Sequence, residues 1–368
     1  MPDQLKVGVV GCAGRGGAFL NTFNIHPNTM LHALCDINEA GLQERGAEMG
    51  IDRLYTDYEQ MLAEAEVDIV MVGTPMPLHA PMSLAALERG IHVLSEVPAA
   101  VSLAEARALV QAAQAGRATY MMAENYTYMR PNVLVKALAH QGLFGEMYFG
   151  EGEYLHELKG LNEITKWRRK WQTGINGCTY PTHSLGPVLQ WMQDRVVSVM
   201  CVGSGRHYQD PRGDYYENED SILMLCRMSK GGLVKIRVDM LSDRPHNMVY
   251  YSLQGTDGVY EAARGLNDEP KIWLRELHGE TPEWHPLSEL EQRFMPEIWR
   301  NPPEEAVQAG HGGGDYFEIM DFVEAIMTGA PPPTDIHAAM DMTLPGLISQ
   351  ESISQNGLWL EVPDSRDW

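Results

Sequence analysis

Leu5-Lys6-Val7-Gly8-Val9-Val10 is an apolar run that leads directly into Gly11-Cys12-Ala13-Gly14-Arg15-Gly16-Gly17, and a helical pattern follows from Ala18. A strand, a glycine-rich turn and a helix in this order form the context that a dinucleotide-binding fingerprint requires. The glycines allow a tight turn and a close approach of the backbone to a pyrophosphate. Ala13 stands where the second glycine is expected and is small enough to preserve that approach. The stretch therefore predicts a nucleotide-binding unit with a Rossmann fold.

The residue after the next apolar segment bears on which dinucleotide is bound. This segment, residues 30–35, stops at Asp36, which lies 20 residues beyond Gly16. A carboxylate at this place accepts hydrogen bonds from a ribose 2′-OH and repels a 2′-phosphate, so the pattern favours NAD over NADP. The alternative is that Asp36 only caps the helix that follows it.

Apolar segments and helical patterns alternate through the first 126 residues. Continuous apolar strands connected by helices indicate a parallel sheet covered on both faces. We therefore predict an α/β fold in which residues 1–126 form an NAD-binding Rossmann domain with a doubly wound parallel sheet. Ligands of such sheets bind beyond the carboxyl ends of the strands. There the chain places Thr74, Leu78, His79, Glu96, Val97, Glu124 and Asn125.

The pattern changes after Pro131. Residues 234–240 alternate between apolar and polar side chains, which indicates a strand with one buried and one wet face. Further strands are predicted at 146–156, 196–204, 221–228 and 249–254. We predict that residues 127–368 form a substrate-binding and oligomerisation α+β domain with an open, largely antiparallel sheet. The helical stretch 336–355 is expected to pack back across both domains.

The composition limits the class of protein. Across 368 residues, 50 acidic and 28 basic side chains give a net charge of -22, which repels nucleic acid and anionic membrane surfaces. No apolar run approaches the roughly 18 residues that a membrane-spanning helix needs, and the first strand begins too early for a signal peptide. We therefore expect a cytoplasmic protein that binds neither nucleic acid nor membranes.

The cysteines indicate neither a disulfide framework nor a zinc site, because they are odd in number and lack C-x-x-C spacing. No aspartate and histidine cluster has the spacing of metal ligands, so no metal is expected. We expect the five thiols to be small buried apolar groups, at Cys12, Cys35, Cys178, Cys201 and Cys226.

Several blocks of the chain together resemble a known family. The Gly11–Gly16 turn, Asp36 and the Leu94–Pro98 segment are similar to the glucose-fructose oxidoreductase, inositol dehydrogenase and MocA-like oxidoreductases. Within that superfamily the chain most resembles the NAD-dependent glycosidases typified by bacterial α-N-acetylgalactosaminidases. The blocks that carry this closer resemblance are Glu96–Ala100, Met121–Asn125, Gly152–His156, Asn176–His183 and Gly310–Gly313.

The resemblance implies a set of site residues. It places the sugar against Tyr154, Arg168 and the segment Tyr180–His183, which includes Thr182, with Tyr260 as a further contact. We add Glu124, which can tune a neighbouring base electrostatically. The chain departs from the family pattern at Ala13 and in a shorter loop before Arg168. The NAD contacts that the resemblance implies are Gly14, Arg15, Asp36, Leu78, His79, Glu96, Val97 and Asn125.

The chemistry that the resemblance implies is hydrolysis through a transient oxidation. Hydride transfer from C3 of a sugar to the nicotinamide gives a 3-ketone, which acidifies the hydrogen on C2. A base removes that proton, the C1 substituent leaves, water adds to the enone, and the hydride returns to C3, so that NAD is recycled. Such a mechanism needs one group for the O3 proton and one for the C2 proton.

Tyr154, Tyr180 and His183 are the catalytic candidates. His183 lies near the start of a helical segment that Tyr180 or Thr182 is predicted to cap, where the helix dipole favours a neutral ring able to accept a proton. Tyr154 and His156 lie two residues apart on one strand and therefore point to the same face. Without the family pattern, a histidine at a helix start or a tyrosine on a strand is more often a packing residue.

Val97 separates two enzymatic interpretations. In most dehydrogenases of the resembled family this position is a lysine that hydrogen-bonds the hydroxyl being oxidised, which a valine cannot do. This favours a glycosidase whose acid–base groups lie elsewhere. The alternatives are an NAD-dependent sugar or polyol dehydrogenase, and a non-catalytic protein that senses a sugar or NAD.

Three further segments each keep two interpretations. His79 follows a proline-rich loop and is either a cofactor contact or a structural residue of that loop. The basic segment 166–171 offers arginines to a sugar or a carboxylate, or packs against a neighbouring subunit. The glycines at 312–314, after His311, allow close backbone approach or form a flexible loop. Because an open sheet face commonly pairs with another subunit, we expect a homodimer or homotetramer.

Overall fold

The computed structural model describes residues 4–245 and 248–368, and the chain divides into two units. The first unit comprises the chain through Tyr128 with Pro303–Met340 and Ser365–Trp368, and the second comprises Met129–Pro302 and Asp341–Asp364. The predicted division after residue 126 differs from this one, because it assigns residues 303–340 and 365–368 to the second domain. Close packing within the first unit explains the difference: a Cβ at Gly314 would lie 2.9 Å from the carbonyl oxygen of Asn125.

Six parallel strands form the sheet of the first unit, in the order β3-β2-β1-β4-β5-β6. The side chains of β4 are all buried, as expected for a strand covered on both faces. The predicted doubly wound sheet is confirmed, and its order reverses between β1 and β4, where ligands of such folds bind. The strands are β1 (Leu5–Val10), β2 (Thr29–Cys35), β3 (Leu54–Tyr55), β4 (Ile69–Val72), β5 (His92–Ser95) and β6 (Tyr120–Met122).

Helices connect these strands, and three of them begin with a capping side chain. Asn38, Asp57 and Ser102 each accept a hydrogen bond from the backbone N–H three residues later. These caps satisfy amides that the first turn of a helix leaves unpaired, and so fix where each loop ends. The helices are α1 (Leu20–Ile25), α2 (Glu39–Met49), α3 (Tyr58–Glu64), α4 (His79–Leu87) and α5 (Leu103–Ala115).

The second unit contains a nine-stranded sheet in the order β14-β13-β12-β11-β7-β10-β9-β8-β15. Strands β7 and β10 pair in parallel, and the other pairs of described strands are antiparallel. The predicted open, largely antiparallel sheet is confirmed. The strands are β7 (Met147–Leu155), β8 (Val196–Gly203), β9 (Ser221–Met228), β10 (Leu233–Asp239), β11 (Met248–Gly255), β12 (Gly258–Glu261), β13 (Lys271–Leu274), β14 (His285–Pro286) and β15 (Leu360–Glu361).

One helix of the second unit lies directly on this sheet because β7 carries two glycines. A Cβ at Gly152 would lie 1.9 Å from the carbonyl oxygen of Ser184, and a Cβ at Gly150 would lie 2.7 Å from Cγ1 of Val188. Side chains at these positions would push the helix away from the sheet. Both contacts are to α9; the helices here are α6 (Arg130–His140), α7 (Lys159–Ile164), α8 (Trp167–Trp171), α9 (Thr182–Met192), α10 (Arg275–His278), α11 (Glu291–Phe294) and α12 (Glu297–Arg300).

The remaining helices are α13 (Glu304–Gln308), α14 (Gly314–Thr328) and α15 (Ile336–Ser354). The first two belong to the first unit, whereas α15 contributes residues 336–340 to the first unit and 341–354 to the second. Its second part supports the segment before α9, because the backbone N–H of Cys178 donates to Oγ of Ser349 at 2.8 Å. Among the helices of the described residues, none has the length and apolar character needed to cross a bilayer.

Candidate functional site

The glycine-rich turn after β1 has a shape that requires glycine at two positions. Gly11 has a φ of +81°, and a Cβ there would lie 2.4 Å from the carbonyl oxygen of Gly73. A Cβ at Gly16 would lie 2.9 Å from the carbonyl oxygen of Gly11. Ala13 is half-buried and Gly14 is exposed, so the alanine is tolerated and the backbone at the tip of the turn is open. This open backbone fits the pyrophosphate of a dinucleotide.

Asp36 is joined to this turn. Its Oδ2 accepts a hydrogen bond from the backbone N–H of Ala13 at 2.9 Å, and its Oδ1 accepts one from Asn38 at 2.9 Å. The cap of α2 is Asn38, whose Oδ1 accepts from the N–H of Gly41 at 3.2 Å, so the capping role proposed as an alternative for Asp36 belongs to its neighbour. The half-buried carboxylate keeps lone pairs for further donors, which fits ribose hydroxyls.

The loop after β4 carries three predicted cofactor contacts, Thr74, Leu78 and His79. Nδ1 of His79 lies 2.9 Å from the carbonyl oxygen of Pro98, and Nε2 lies 2.8 Å from that of Thr74. Burial lowers the pKa of this histidine. Because both ring nitrogens face backbone carbonyls, the structure supports the interpretation in which His79 joins two loops. Leu78, which directly precedes His79, is 40% exposed.

Arg15 lies in a charge network with Glu96, which directly follows β5, and Asp315. Its Nε donates to Oε1 of Glu96 at 2.7 Å, and its two terminal nitrogens donate to the two oxygens of Asp315 at 2.7 and 2.8 Å. Burial opposes both charged forms. The ion pairs outweigh it, holding the pKa of Asp315 well below its usual range and raising that of Arg15. Arg15 and Asp315 are therefore both charged.

Asp315 contacts two more side chains of the first unit. Nδ2 of Asn125 donates to Oδ1 of Asp315 at 3.2 Å, and Nδ1 of His311 lies 3.0 Å from the same oxygen. Asp315, which no sequence pattern indicated, thus connects two predicted NAD contacts, Arg15 and Asn125, and Arg15 in turn pairs with a third, Glu96.

Glu318, which lies one turn after Asp315 on α14, was also not predicted from the sequence. It is fully buried, and neither of its carboxylate oxygens has a hydrogen-bond partner among the described residues. Burial, reinforced by Asp315 and Glu96, raises its pKa well above the ordinary value. The signal that could have identified both residues is their position, since Asp315 and Glu318 are acidic side chains on the apolar face of a helix, where charge is rare.

Val97 and Glu124 follow β5 and β6. Val97 is 2% exposed and offers neither a proton donor nor an acceptor on its side chain. Glu124 is fully buried, and its Oε1 accepts a hydrogen bond from the backbone N–H of Tyr126 at 3.2 Å. The polar side chain expected at the carboxyl end of β6 is therefore present, whereas position 97 brings no proton-transfer group.

In the second unit, the three predicted catalytic residues come together at the start of α9. The ring centroids of Tyr154 and His183 are 5.1 Å apart, those of Tyr180 and His183 are 5.0 Å apart, and those of Tyr154 and Tyr180 are 5.8 Å apart. The hydroxyl of Tyr154 lies 2.7 Å from Nδ1 of His156. The expectation that Tyr154 and His156 share a face is confirmed, and these four residues are called the Tyr154 cluster below.

The backbone around the Tyr154 cluster is held from two sides. The hydroxyl of Tyr251, on β11, donates to the carbonyl oxygen of His183. The predicted cap of α9 by Tyr180 or Thr182 was wrong: Pro181 is the N-cap residue and no side chain caps the helix. The backbone N–H groups of Ser184 and Leu185 donate to the carbonyl of Pro181 at 3.0 and 2.7 Å, so backbone hydrogen bonds close the first turn.

Two predicted sugar contacts lie outside the Tyr154 cluster. Arg168, on α8, donates from Nε to Thr165 at 3.0 Å and from a terminal nitrogen to Gln172 at 2.8 Å. Tyr260, on β12, is fully buried, with its ring 5.7 Å from that of Trp191 at the far end of α9. Tyr260 therefore lies in the hydrophobic core, which the sequence pattern did not reveal.

The basic segment 166–171 has its second arginine neutralised. Arg169 donates from Nε to Asp210 at 3.1 Å and also pairs with Glu217. This leaves less positive charge for an acidic substrate than the sequence suggests.

Within residues 4–245 and 248–368, no group of three or more histidine, cysteine, aspartate or glutamate side chains is arranged to hold a metal ion.

Two families of known proteins match successive parts of the chain. Residues 5–124 match the oxidoreductase family with an NAD-binding Rossmann fold, and residues 128–367 match the C-terminal domain of glycosyl hydrolase 109. The first match identifies the cofactor as NAD. A levoglucosan dehydrogenase solved in complex with NADH has a TM-score of 0.81 at 19% identity, covering 98% of this chain and 100% of that chain. An NAD binding oxidoreductase from Klebsiella pneumoniae also has a TM-score of 0.81 at 19% identity, covering 98% and 99%. At this identity the likeness shows the fold.

Curated relatives align over nearly the whole chain. A glycosyl hydrolase family 109 protein of Saccharopolyspora erythraea is 31% identical over 397 residues, which is 98% of this chain and 83% of that protein. An α-N-acetylgalactosaminidase of Shewanella oneidensis is 29% identical and covers 98% of this chain and 85% of that protein. The resemblance inferred from the sequence is confirmed. The chain therefore belongs to the glycosyl hydrolase 109 family, on the fold of the NAD-binding oxidoreductases.

Proposed function

We propose that the chain hydrolyses glycosides with NAD as a recycled cofactor, through transient oxidation of the sugar at C3. The observation that carries the proposal is that the groups able to move protons meet in the Tyr154 cluster, whereas position 97 holds a buried valine. Because the Shewanella relative is named an α-N-acetylgalactosaminidase, an N-acetylgalactosaminide is the first substrate class to test.

NAD supplies a reversible hydride acceptor when it is bound. We assign its ribose hydroxyls to the half-buried carboxylate of Asp36 and its pyrophosphate to the open backbone at Gly14, because both fit those groups. His79 contributes by joining two loops of the site. The proposed NAD residues are Gly11, Ala13, Gly14, Arg15, Gly16, Asp36, Thr74, Leu78, His79, Glu96, Val97 and Asn125.

Tyr154 and His156 form a proton relay in this proposal. A neutral His156 accepts the phenol hydrogen at Nδ1, and its proximity at 2.7 Å allows it to take that proton while Tyr154 takes the proton of O3. The proton moves back by the same route when C3 is reduced. This explains why the oxidation step needs no lysine at position 97.

His183 is the group proposed to remove the C2 proton. Its ring lies against Tyr154 and Tyr180, which hold it in place. Loss of the C2 proton expels the C1 substituent, water then adds to C1, and His183 returns a proton to C2. Tyr180, Thr182 and Arg168 are proposed to bind sugar hydroxyls, and Glu124 to tune the charge at the end of β6; buried Tyr260 acts only as a support for the sheet.

We also propose that the chain forms a homodimer or homotetramer through the sheet face opposite α9. Phe149, Leu223 and Leu225 are half-buried on that face, and Lys235 pairs there with Glu151. A mixed apolar and paired-charge surface suits contact with a second copy. Light scattering coupled to gel filtration tests this assembly.

The expected cytoplasmic location and the absence of nucleic-acid and membrane partners stay predictions.

The test of activity uses an aryl α-N-acetylgalactosaminide with the holoenzyme. We expect release of the aryl alcohol without net NADH, incorporation of deuterium at C2 from heavy water, and loss of turnover when NAD is stripped. Steady accumulation of NADH would overturn the proposal in favour of a sugar or polyol dehydrogenase. NAD and sugar binding without either reaction, across a panel of aryl glycosides, would favour a sensor.

A further inference from the structure

Asp315 lies far from the nucleotide-binding motif in the sequence, yet it contacts residues assigned to NAD. It is separated by 300 positions from Arg15 and by 190 from Asn125, and it hydrogen-bonds both. Asp315 is fully buried, and a bidentate pair with a guanidinium is the geometry that best fixes an arginine. Its contacts therefore hold Arg15 in one orientation, against Glu96.

The glycine-rich stretch before α14 makes room for this carboxylate. A Cβ at Gly310 would lie 2.4 Å from Oδ2 of Asp315, and a Cβ at Gly314 would lie 2.9 Å from the carbonyl oxygen of Asn125. Gly313 has a φ of +97°, which favours glycine. Of the two interpretations of these glycines, close backbone approach is therefore the one that the structure supports, and it serves to seat Asp315.

The charges in this network do not cancel. One guanidinium faces two carboxylates, those of Glu96 and Asp315. The group is one negative charge in excess when His311, whose Nδ1 lies 3.0 Å from Asp315, is neutral. It lies where β5 ends, and the carboxyl ends of the strands are where doubly wound sheets bind their ligands. The oxidised nicotinamide ring carries a positive charge that the reduced ring lacks. Glu96 adjoins Val97, the position where dehydrogenases of the resembled family contact the hydroxyl being oxidised, so we assign the ring to this edge of the sheet. Negative charge there stabilises the oxidised form of the ring more than the reduced form.

We propose that Asp315 is a positioning residue of the NAD site, which holds Arg15 against Glu96 and whose charge makes the site prefer NAD+ over NADH. The inference rests on the assignment of NAD to these residues in the proposed function. The preference suits a recycled cofactor, because the resting enzyme must keep NAD in the form that accepts a hydride.

The experiment measures the dissociation constants of NAD+ and NADH separately, for the wild-type protein and for D315N. The substitution keeps the shape of the side chain and removes one charge. We expect NAD+ to bind about tenfold more weakly and NADH to change by less than about threefold. The matched control is E324Q, which removes a charge from an exposed position of the same helix and should change neither constant.

Each other result overturns the proposal in a recognisable way. Equal weakening of both ligands by D315N would show that Asp315 is only structural, and no change would remove it from the site. Failure of the wild-type protein to bind NAD would instead overturn the NAD assignment itself. If D315N does not fold, G310A displaces the carboxylate without removing its charge. We then expect about threefold weaker binding of both ligands with their ratio kept, and a changed ratio or no change would contradict the proposal.

Discussion

The hydroxyl of Tyr154 lies 2.7 Å from Nδ1 of His156, two residues further along the chain at the end of β7. Residues two apart on a strand point to one face, so the backbone itself brings the phenol and the imidazole together. Their ring centroids are 5.6 Å apart with the planes perpendicular, which directs the hydroxyl toward the edge of the imidazole. In the tautomer that the proposed relay requires, with Nδ1 unprotonated, this pairing gives the phenol a fixed proton acceptor.

The first prediction concerns this pair. Tyr154→Phe removes the hydroxyl proposed to take the O3 proton, so we expect kcat on an aryl glycoside to fall by about 10² to 10⁴. His156→Asn should cost less activity, and the double variant should cost no more than Tyr154→Phe alone, since His156 is proposed to act through the hydroxyl. Tyr148→Phe, an exposed tyrosine on the same strand, is the control. Additive losses in the double variant would contradict the relay.

The second prediction concerns His183. His183→Ala removes the base proposed for C2 while the backbone carbonyl that Tyr251 holds remains in place. We expect turnover to fall by about 10² to 10⁴, with the dissociation constant of NAD+ nearly unchanged. Loss of deuterium exchange at C2, measured by NMR in heavy water, should accompany it. His278→Ala, in α10, serves as the control, and wild-type turnover in His183→Ala would remove this residue from the mechanism.

The third prediction concerns Val97, which is 2% exposed at the end of β5. Val97→Lys introduces the lysine that the resemblance implies at this position in dehydrogenases. We therefore expect net production of NADH from a free sugar, which is measured by the absorbance of NADH. Burying an ammonium group should also lower the free energy of unfolding, by about 1 to 3 kcal/mol. Val97→Met is a volume control without the amine. Absence of NADH in the lysine variant would weaken the argument from position 97.

Local patterns predicted the elements whose residues are neighbours in sequence. The turn at Gly11 and Asp36 were identified because strand, turn and helix follow one another, and the structure joins them through the N–H of Ala13. The alternation of apolar and polar residues in β10 likewise predicted that one face of this strand is buried. The five thiols are all buried and free, as the absence of paired spacing indicated.

Long-range relationships were not predictable in this way. Asp315 contacts Arg15 although 300 positions separate them in the sequence, and no motif indicates that the two residues are in contact. Tyr260 was assigned to the sugar because its neighbourhood matches the family, but its burial against Trp191 depends on which strands pair. The predicted cap of α9 was wrong for a local reason, since the N-cap residue is Pro181, whose side chain has no hydrogen-bond acceptor.

The fourth prediction concerns Glu318, whose pKa is raised well above its ordinary value of 4.5 by burial and by Asp315 and Glu96. The folded state therefore keeps its proton at a pH where the unfolded state has lost it. Below about pH 4.5 both states are protonated and the residue costs nothing. As the pH rises above that value, the unfolded state ionises and gains stability relative to the folded state, so the native protein loses stability up to the raised pKa.

Glu318→Gln cannot ionise, so it removes this loss. We expect its free energy of unfolding, relative to wild type, to be higher at pH 8 than at pH 5 by about 1 to 3 kcal/mol. Comparing the two pH values cancels any constant effect of the amide, and it cancels the titration of Asp315, which both proteins share. Denaturant unfolding at each pH gives the measurement, with Glu324→Gln as the exposed control on α14. A difference that shrinks as the pH rises would show that Glu318 is ionised in the folded protein, with a charged partner that compensates its burial.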